Sequence, residues 1–430
     1  MKESGIDWIG QIPEEWGISK IKFTTQLNGR IGWQGLTSAE YKEEGPYLIT
    51  GTDFHNGTIN FETAVHIDEK RWSEASQIQV ENGDLLITKD GTVGKVAIIS
   101  GLDDKASLNS GVLRIQTIDE IDRRFLYYVL LSDEFWMWFN YTNSGASTIL
   151  HLYQNVFDEF TFTFPQKNEQ QKIADFLDKK TAQLDKVKSL LEEQIQKLKD
   201  YRASLIYETV TKGLDKTALM KDSGIDWIGQ VPEGWGVKRL KDYVDFQTGT
   251  TPPQSIGVNQ ERKGVRWFKP GDFSDESVDL TSAENYITSE VVIQQKLSVY
   301  PEKTILVVGI ASIGKVGYSE NHSYSNQQIT ALKVTGQIFP KYLAYLMFSS
   351  GQYIRETALY TIVPIINNQY LSSLKIVLPN RVVQETIVEY LDKKIGQINK
   401  MIVIKNEQIK NINKQRQTLI YDYVTGKRRV

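Results

Sequence analysis

The strongest constraint in this chain is that it repeats itself. Ser4-Gly5-Ile6-Asp7-Trp8-Ile9-Gly10-Gln11-Ile12-Pro13-Glu14-Glu15-Trp16-Gly17 returns as Ser223-Gly224-Ile225-Asp226-Trp227-Ile228-Gly229-Gln230-Val231-Pro232-Glu233-Gly234-Trp235-Gly236. The copies lie 219 residues apart in a chain of 430. Solenoid repeats run only about 20–50 residues. Two whole modules fused head to tail are therefore expected, with internal pseudo-twofold symmetry. Such a frame suits a partner that is itself twofold, duplex DNA being one.

A second piece is also doubled. Pro165 to Lys212 and Pro379 to Thr425 each read as one long amphipathic helix. Phe176-Leu177-Asp178-Lys179-Lys180 matches Tyr390-Leu391-Asp392-Lys393-Lys394, and Arg202, Leu205-Ile206-Tyr207 and Val210-Thr211 match Arg416, Leu419-Ile420-Tyr421 and Val424-Thr425. Leu177, Leu184, Leu191, Ile195, Leu198 and Leu205 follow a heptad walk, as do Leu391, Ile395, Ile398, Ile402, Ile409, Ile412, Leu419 and Tyr423; Lys405 and Arg416 interrupt the second. A heptad seam needs another helix against it, and the other copy is the simplest partner. Each helix would be roughly 70 Å long at 1.5 Å per residue. Arg202 and Arg416 hold equivalent seam positions, where a polar residue either sets register or snorkels to the rim.

Ahead of each helix the texture changes to Gly, Thr, Ser, Asn and aromatics, with short β-type runs at Asp84–Thr88 and Thr304–Val308 and short helices near Arg124–Phe139 and Pro340–Phe348. The fold class expected is α/β (α+β): two small mixed sheets with helices, joined by two long helices packed as an antiparallel coiled coil. The boundaries are 1–164 for the first module, 165–212 for its helix, 213–378 for the second module and 379–430 for the second helix and C-terminus. The modules share a scaffold but diverge: Thr50-Gly51-Thr52-Asp53-Phe54 aligns with Lys269-Pro270-Gly271-Asp272-Phe273, and Thr92-Val93-Gly94-Lys95-Val96 with Ser312-Ile313-Gly314-Lys315-Val316. The second helix ends where a third cycle would begin, so the N- and C-termini are expected to be close.

Composition excludes several classes. With no cysteine there is no disulfide framework or thiolate metal site. His55, His66, His151 and His322 form no pair at helical spacing. The N-terminus lacks a signal-peptide pattern and no apolar run reaches about 18 residues, so a cytoplasmic protein is expected. The net charge of −3 does not advertise nucleic-acid binding; any DNA surface has to be local.

Catalytic motifs fail on inspection. Gly309-Ile310-Ala311-Ser312-Ile313-Gly314-Lys315 fits the phosphate-loop pattern GxxxxGK, but Val316 stands where the magnesium ligand belongs and no helix opens after it. A tight hairpin is the better reading. Thr251-Pro252-Pro253-Gln254 lacks both ends of an adenine-methyltransferase box. Base and phosphate contact needs no catalytic spacing, only Arg or Lys for guanine and phosphate, Asn or Gln for adenine, and loops that enter a groove. The candidate contacts are Arg30, Trp33 and Gln34 in the glycine-rich loop of the first module, with Lys89, Thr92 and Lys95 at its hairpin. In the second they are Thr250, Gln254, Lys269, Ser312, Lys315, Asn326 and Gln327. Asn367-Asn368-Gln369 is a further amide cluster.

The whole organisation resembles the specificity subunit of a Type I restriction–modification system. The resemblance rests on the doubled Trp box, the helices beginning at Pro165 and Pro379, the Leu-Asp-Lys-Lys segments and the paired Gly-Lys hairpins. It implies a non-catalytic chain with two target recognition domains, each reading one half of a split, asymmetric DNA site. It also implies helices that space those domains and dock two methyltransferase subunits, restriction subunits that complete the nuclease, and S-adenosylmethionine, ATP and magnesium held by those partners. The competing reading is a coiled-coil scaffold whose modules bind peptides; the net charge is its support.

Overall fold

The computed structural model describes residues 1–30, 36–143, 150–251, 258–259, 264–294, 297–358 and 365–430. The chain divides into two units. The first comprises Met1–Leu191 with Glu407–Val430, and the second Glu192–Asn406. Each contains one module, the start of one long helix and the end of the other.

In the first unit, an antiparallel sheet runs in the order Val96–Ile98, Leu85–Thr88, Val112–Thr117, Thr25–Gly29. A second, mixed sheet orders Val65–His66, Lys42–Ile49, Ala106–Leu108 and Gln79–Val80, with its central pair parallel. Leu85, Leu86 and Ile87 are fully buried, which suits an apolar strand covered on both faces. The second unit repeats the plan. Its antiparallel sheet is Val244–Thr248, Ile329–Val334, Thr304–Val308, Val316–Ser319. Its mixed sheet is Val258–Asn259, Asn285–Ile287, Val265–Phe268, Ser323–Ser325. The short helices Arg123–Leu131 and Asp133–Thr142 in one unit, and Pro340–Ser349 in the other, cover the antiparallel sheets where the sequence places them.

The long helices run Lys167–Lys212 and Arg381–Val424, each starting two residues after its proline. A buried glutamine secures each start. Gln170 Nε2 donates to the Pro165 carbonyl (2.9 Å) and its Oε1 accepts from the Asp122 amide (2.8 Å). Gln384 repeats both bonds, to Pro379 (2.9 Å) and from Phe339 (2.7 Å). About two turns later an aspartate ties the helix to the module. Tyr128 donates to Asp178 (2.7 Å) beside Arg124, and Tyr345 donates to Asp392 (2.6 Å) beside Lys341. Burial raises the Tyr128 hydroxyl well above its ordinary range, so it stays a donor.

Within each unit the two helix segments run antiparallel. Phe176 packs on Tyr423 (4.6 Å between rings) while Asp185, further along, meets Arg416, further back. In the second unit Lys405 donates to Gln194, and Arg202 donates to Asn399 (2.5 Å). Arg202 does not snorkel: it is only 6% exposed and also pairs with Glu276 of the module (3.3 Å). It therefore ties both helix segments to the module, as a register residue would.

The Trp boxes have a shared local form and a shared task. Ser4 Oγ accepts from the Ile6 amide (3.1 Å) and the Ser4 amide donates to Gly10 (2.9 Å); Ser223 does the same with Ile225 (3.1 Å) and Gly229 (2.9 Å). These turns aim Ile6, Ile9, Ile12 and Trp16, or Ile225, Ile228, Val231 and Trp235, into one core with the helix ends. Tyr421 donates to the Trp8 carbonyl (2.7 Å), and Tyr207 to that of Trp227 (3.0 Å). Lys427 donates to Ile9 (2.6 Å) and Gln11 (2.7 Å), and Arg429 pairs with Glu15, so the chain ends are indeed close.

Among the described residues one buried ionisable side chain lacks a hydrogen-bond partner. Glu134 is fully buried and neither carboxylate oxygen finds a hydrogen bond. Burial holds its carboxyl well above the usual range. The unfolded chain ionises at the ordinary value, so this residue favours folding least as pH rises past 4.5 toward the folded value. Glu134→Gln should thus gain thermal stability over wild type between about pH 5 and 8 and lose that advantage below about pH 4; thermal melts across this range check it, and a pH-independent difference refutes it. The Tyr–Asp clasp is testable by double-mutant cycle: Tyr345→Phe and Asp392→Ala should couple by about 1–2 kcal/mol in denaturant unfolding, and additive losses would show no clasp.

Candidate nucleic-acid interface

Each module presents an edge built on one backbone frame. In the first unit the Lys89 amide donates to Gly111 (2.8 Å), and its carbonyl accepts from Leu152 (2.9 Å). In the second the Gly309 amide donates to Gln328 (2.7 Å), and its carbonyl accepts from Ile366 (2.9 Å). Three distant segments therefore meet at equivalent places. Beside each stands a turn closed by aspartate: the Thr50 amide donates to Asp53 (2.7 Å), and the Lys269 amide to Asp272 (2.7 Å).

The hairpins confirm that the GxxxxGK segment is a turn between two strands. Val308 and Lys315 close it, as Thr88 and Lys95 close the first. Its glycine is sterically required. Gly314 has φ +77°, and a Cβ there would lie 2.5 Å from the Gly351 carbonyl. Gly94, at φ +79°, is pressed against Trp136. A helix N-terminus able to cradle phosphate does not follow.

The candidate contacts fall into distinct groups. Lys95, Thr92 and Ser312 are exposed on the hairpins, and Lys95 Nζ leans toward the Gly51 carbonyl (3.4 Å). Lys89 is half-buried beside Gly29. Thr250 is exposed, with its hydroxyl on Tyr324 (3.1 Å). Gln327 is exposed and accepts from Thr251. Lys269 lies over the Trp267 ring (5.3 Å) and within 3.8 Å of Glu284. Trp33, Gln34 and Gln254 lie outside the described residues.

Three expectations need correction. Arg30 does not face a groove: it is 5% exposed and donates to the Leu108 carbonyl (2.9 Å) and Ser107 hydroxyl (3.3 Å) of the mixed sheet. A strand carbonyl offered at the end of a long side chain captures it, and burial lowers its pKa. Asn326 is buried too, spending its amide on Gln328 backbone and side chain. Lys315 does not simply point outward: it is half-buried, donates to Phe273 (3.3 Å) and pairs with Asp275 (3.5 Å).

The frame also gathers residues that spacing did not reveal. In the first unit Asp90 pairs with His151, whose ring stacks on exposed Tyr153 (5.4 Å). In the second, Gln327, Gln328, Asn367, Asn368 and Gln369 line one cleft of about 420 Å³. The two amide clusters are far apart in sequence. Nothing in their spacing announced the meeting. No group of His, Cys, Asp or Glu among the described residues could hold a metal, and none of their helices is long and apolar enough to cross a membrane.

The two modules thus share one backbone frame and carry unlike side chains at its edge. The family model for the Type I restriction modification DNA specificity domain matches residues 14–199 and 232–411, and the chain belongs to that family. It is 22% identical over 445 residues to the Type I restriction enzyme MjaVIII specificity subunit of Methanocaldococcus jannaschii, covering 98% of this chain and 94% of the relative. It is 27% identical over 326 residues to the EcoBI specificity subunit of Escherichia coli, covering 73% and 64%. The fold matches a chain solved in work on complex assembly and conformational transition of the type I R-M system (TM-score 0.75, 16% identity, 96% and 98% covered). It also matches the HsdS subunit of Thermoanaerobacter tengcongensis (0.53, 16%, 99% and 100%).

The two hairpin lysines differ in a way that DNA binding should report. Lys95→Ala should lower the slope of log affinity against log salt by about 0.9, one phosphate's worth. Lys315→Ala should change it less, because Asp275 already offsets that charge. Equal slopes for both variants would contradict this.

Proposed function

We propose that this chain is the sequence-reading subunit of a Type I restriction–modification complex, with each module reading one half of a split, asymmetric DNA site. The single observation that carries this is the repeated edge frame around Lys89 and Gly309, alike in backbone and unlike in side chains. Like frames approach like features of a duplex, and unlike edges select different bases. Family membership supplies the setting. In this reading the long helices space the two modules and dock two methyltransferase subunits, and restriction subunits join them. S-adenosylmethionine, ATP and magnesium are bound by those partners, while this chain recognises and does not catalyse. The net charge of −3 favours a peptide-binding scaffold instead, and a shallow salt dependence of DNA binding by the complex would support that alternative.

The test is methylation sequencing of a host carrying the chain with its modification subunits. A single bipartite motif is expected. Exchanging residues 20–160 for those of a relative should change one half of that motif and leave the other intact. A change in both halves, or no split motif, overturns the reading.

A further inference from the structure

We propose that Gln369 in the second module reads the adenine of an A·T pair in the major groove, with Ile365 against the thymine methyl. This rests on the DNA-reading function proposed above and names the base pair that one edge selects.

Four observations converge. First, among the described residues the cleft lined by Gln327, Gln328, Asn368 and Gln369 carries no charged side chain. Guanine is read mainly by Arg or Lys and cytosine by Asp or Glu, so this lining lacks the groups for a G·C pair. Second, the oxygens of the other amides are already engaged, that of Gln328 by the Asn326 amide (2.8 Å). Asn367 caps the helix Asn368–Ser373, accepting from the Tyr370 amide (2.9 Å). Asn368 accepts from Thr330 (3.2 Å), and Gln327 accepts from Thr251. Gln369 is exposed, and its side chain makes no hydrogen bond to any described residue. Among the described residues nothing occupies its carbonyl and amide groups, which lie side by side in the pattern that pairs with adenine N6 and N7.

Third, the backbone under Gln369 is held. The Asn367 cap fixes the start of its helix, and the Ile366 amide bonds to Gly309 (2.9 Å) on the hairpin strand. A free side chain on a fixed backbone can discriminate without first ordering the loop. Fourth, Ile365 is 44% exposed although it bridges to Ile310 in the same cleft. An exposed isoleucine beside a free amide matches the two features that an A·T pair shows in the major groove, the N6/N7 edge and the 5-methyl. The first module's equivalent edge has the Asp90–His151 pair and Tyr153 instead, so the selection belongs to one half-site only.

The experiment uses the full chain assembled with its modification subunits. Methylation sequencing first defines the wild-type motif. Gln369→Ala should then make one A·T position degenerate, in the half not altered by exchanging residues 20–160, with discrimination there falling roughly 5- to 150-fold. The salt slope should not change, since no phosphate contact is removed. Placing 7-deaza-2′-deoxyadenosine at that position should weaken the wild type and leave Gln369→Ala unaffected. Deoxyuridine in place of thymidine should weaken the wild type and not Ile365→Ala. An unchanged motif, a degenerate G·C position, or equal sensitivity of wild type and variant to the 7-deaza base overturns the assignment while the split-site function stands. Absence of any split motif in the wild type overturns that function itself, and the assignment with it.

Discussion

Everything in this structure depends on how the ends of the long helices are held. A helix of more than forty residues with a narrow apolar seam gains little from its own propensity and needs its ends pinned by tertiary contacts. At the start, a buried glutamine and a Tyr–Asp pair join the helix to its own module. At the other end, a tyrosine hydroxyl bonds to carbonyls of a Trp box, whose isoleucines and tryptophan fill the same core. In the first unit that box is the N-terminal one, so the unit is built from both ends of the chain. The repeat is thus closed by contacts and not by covalent continuity.

This arrangement separates what must stay alike from what is free to differ. Core residues, boxes and helix clasps are duplicated because each satisfies buried backbone or fills a shared volume, where a changed residue costs kcal/mol. The edges around Lys89 and Gly309 have no such obligation. Their backbone bonds keep the frame, and the side chains above it vary from an Asp–His–Tyr group to an array of amides. Specificity therefore has room to change without disturbing the fold.

Buried polar groups in the frame follow a similar division. Arg202 and Arg30 are both nearly inaccessible, and each is matched by acceptors, so their desolvation is compensated. Arg202 links two helix segments and a module, fixing their register. Glu134 is the exception, a neutral acid with no partner against the core of the first unit.

Much of this was legible in the sequence. The two modules, the long helices, the heptad seam, the hairpin in place of a phosphate loop and the proximity of the termini all follow from repeats and periodicity, which depend on neighbours in sequence. The roles of Asp178 and Asp392 were not legible. An aspartate in a helix gives no sign of the tyrosine it will meet about fifty residues away. Nor could spacing tell that Arg30 turns inward while Gln369 stays exposed, because that depends on which strand carbonyl or solvent lies within reach of each side chain. Periodicity and repetition determined the frame. Only the tertiary structure decided which polar side chains the frame consumes and which it leaves exposed, since a hydrogen-bond partner is a fact of position in space and not of order along the chain.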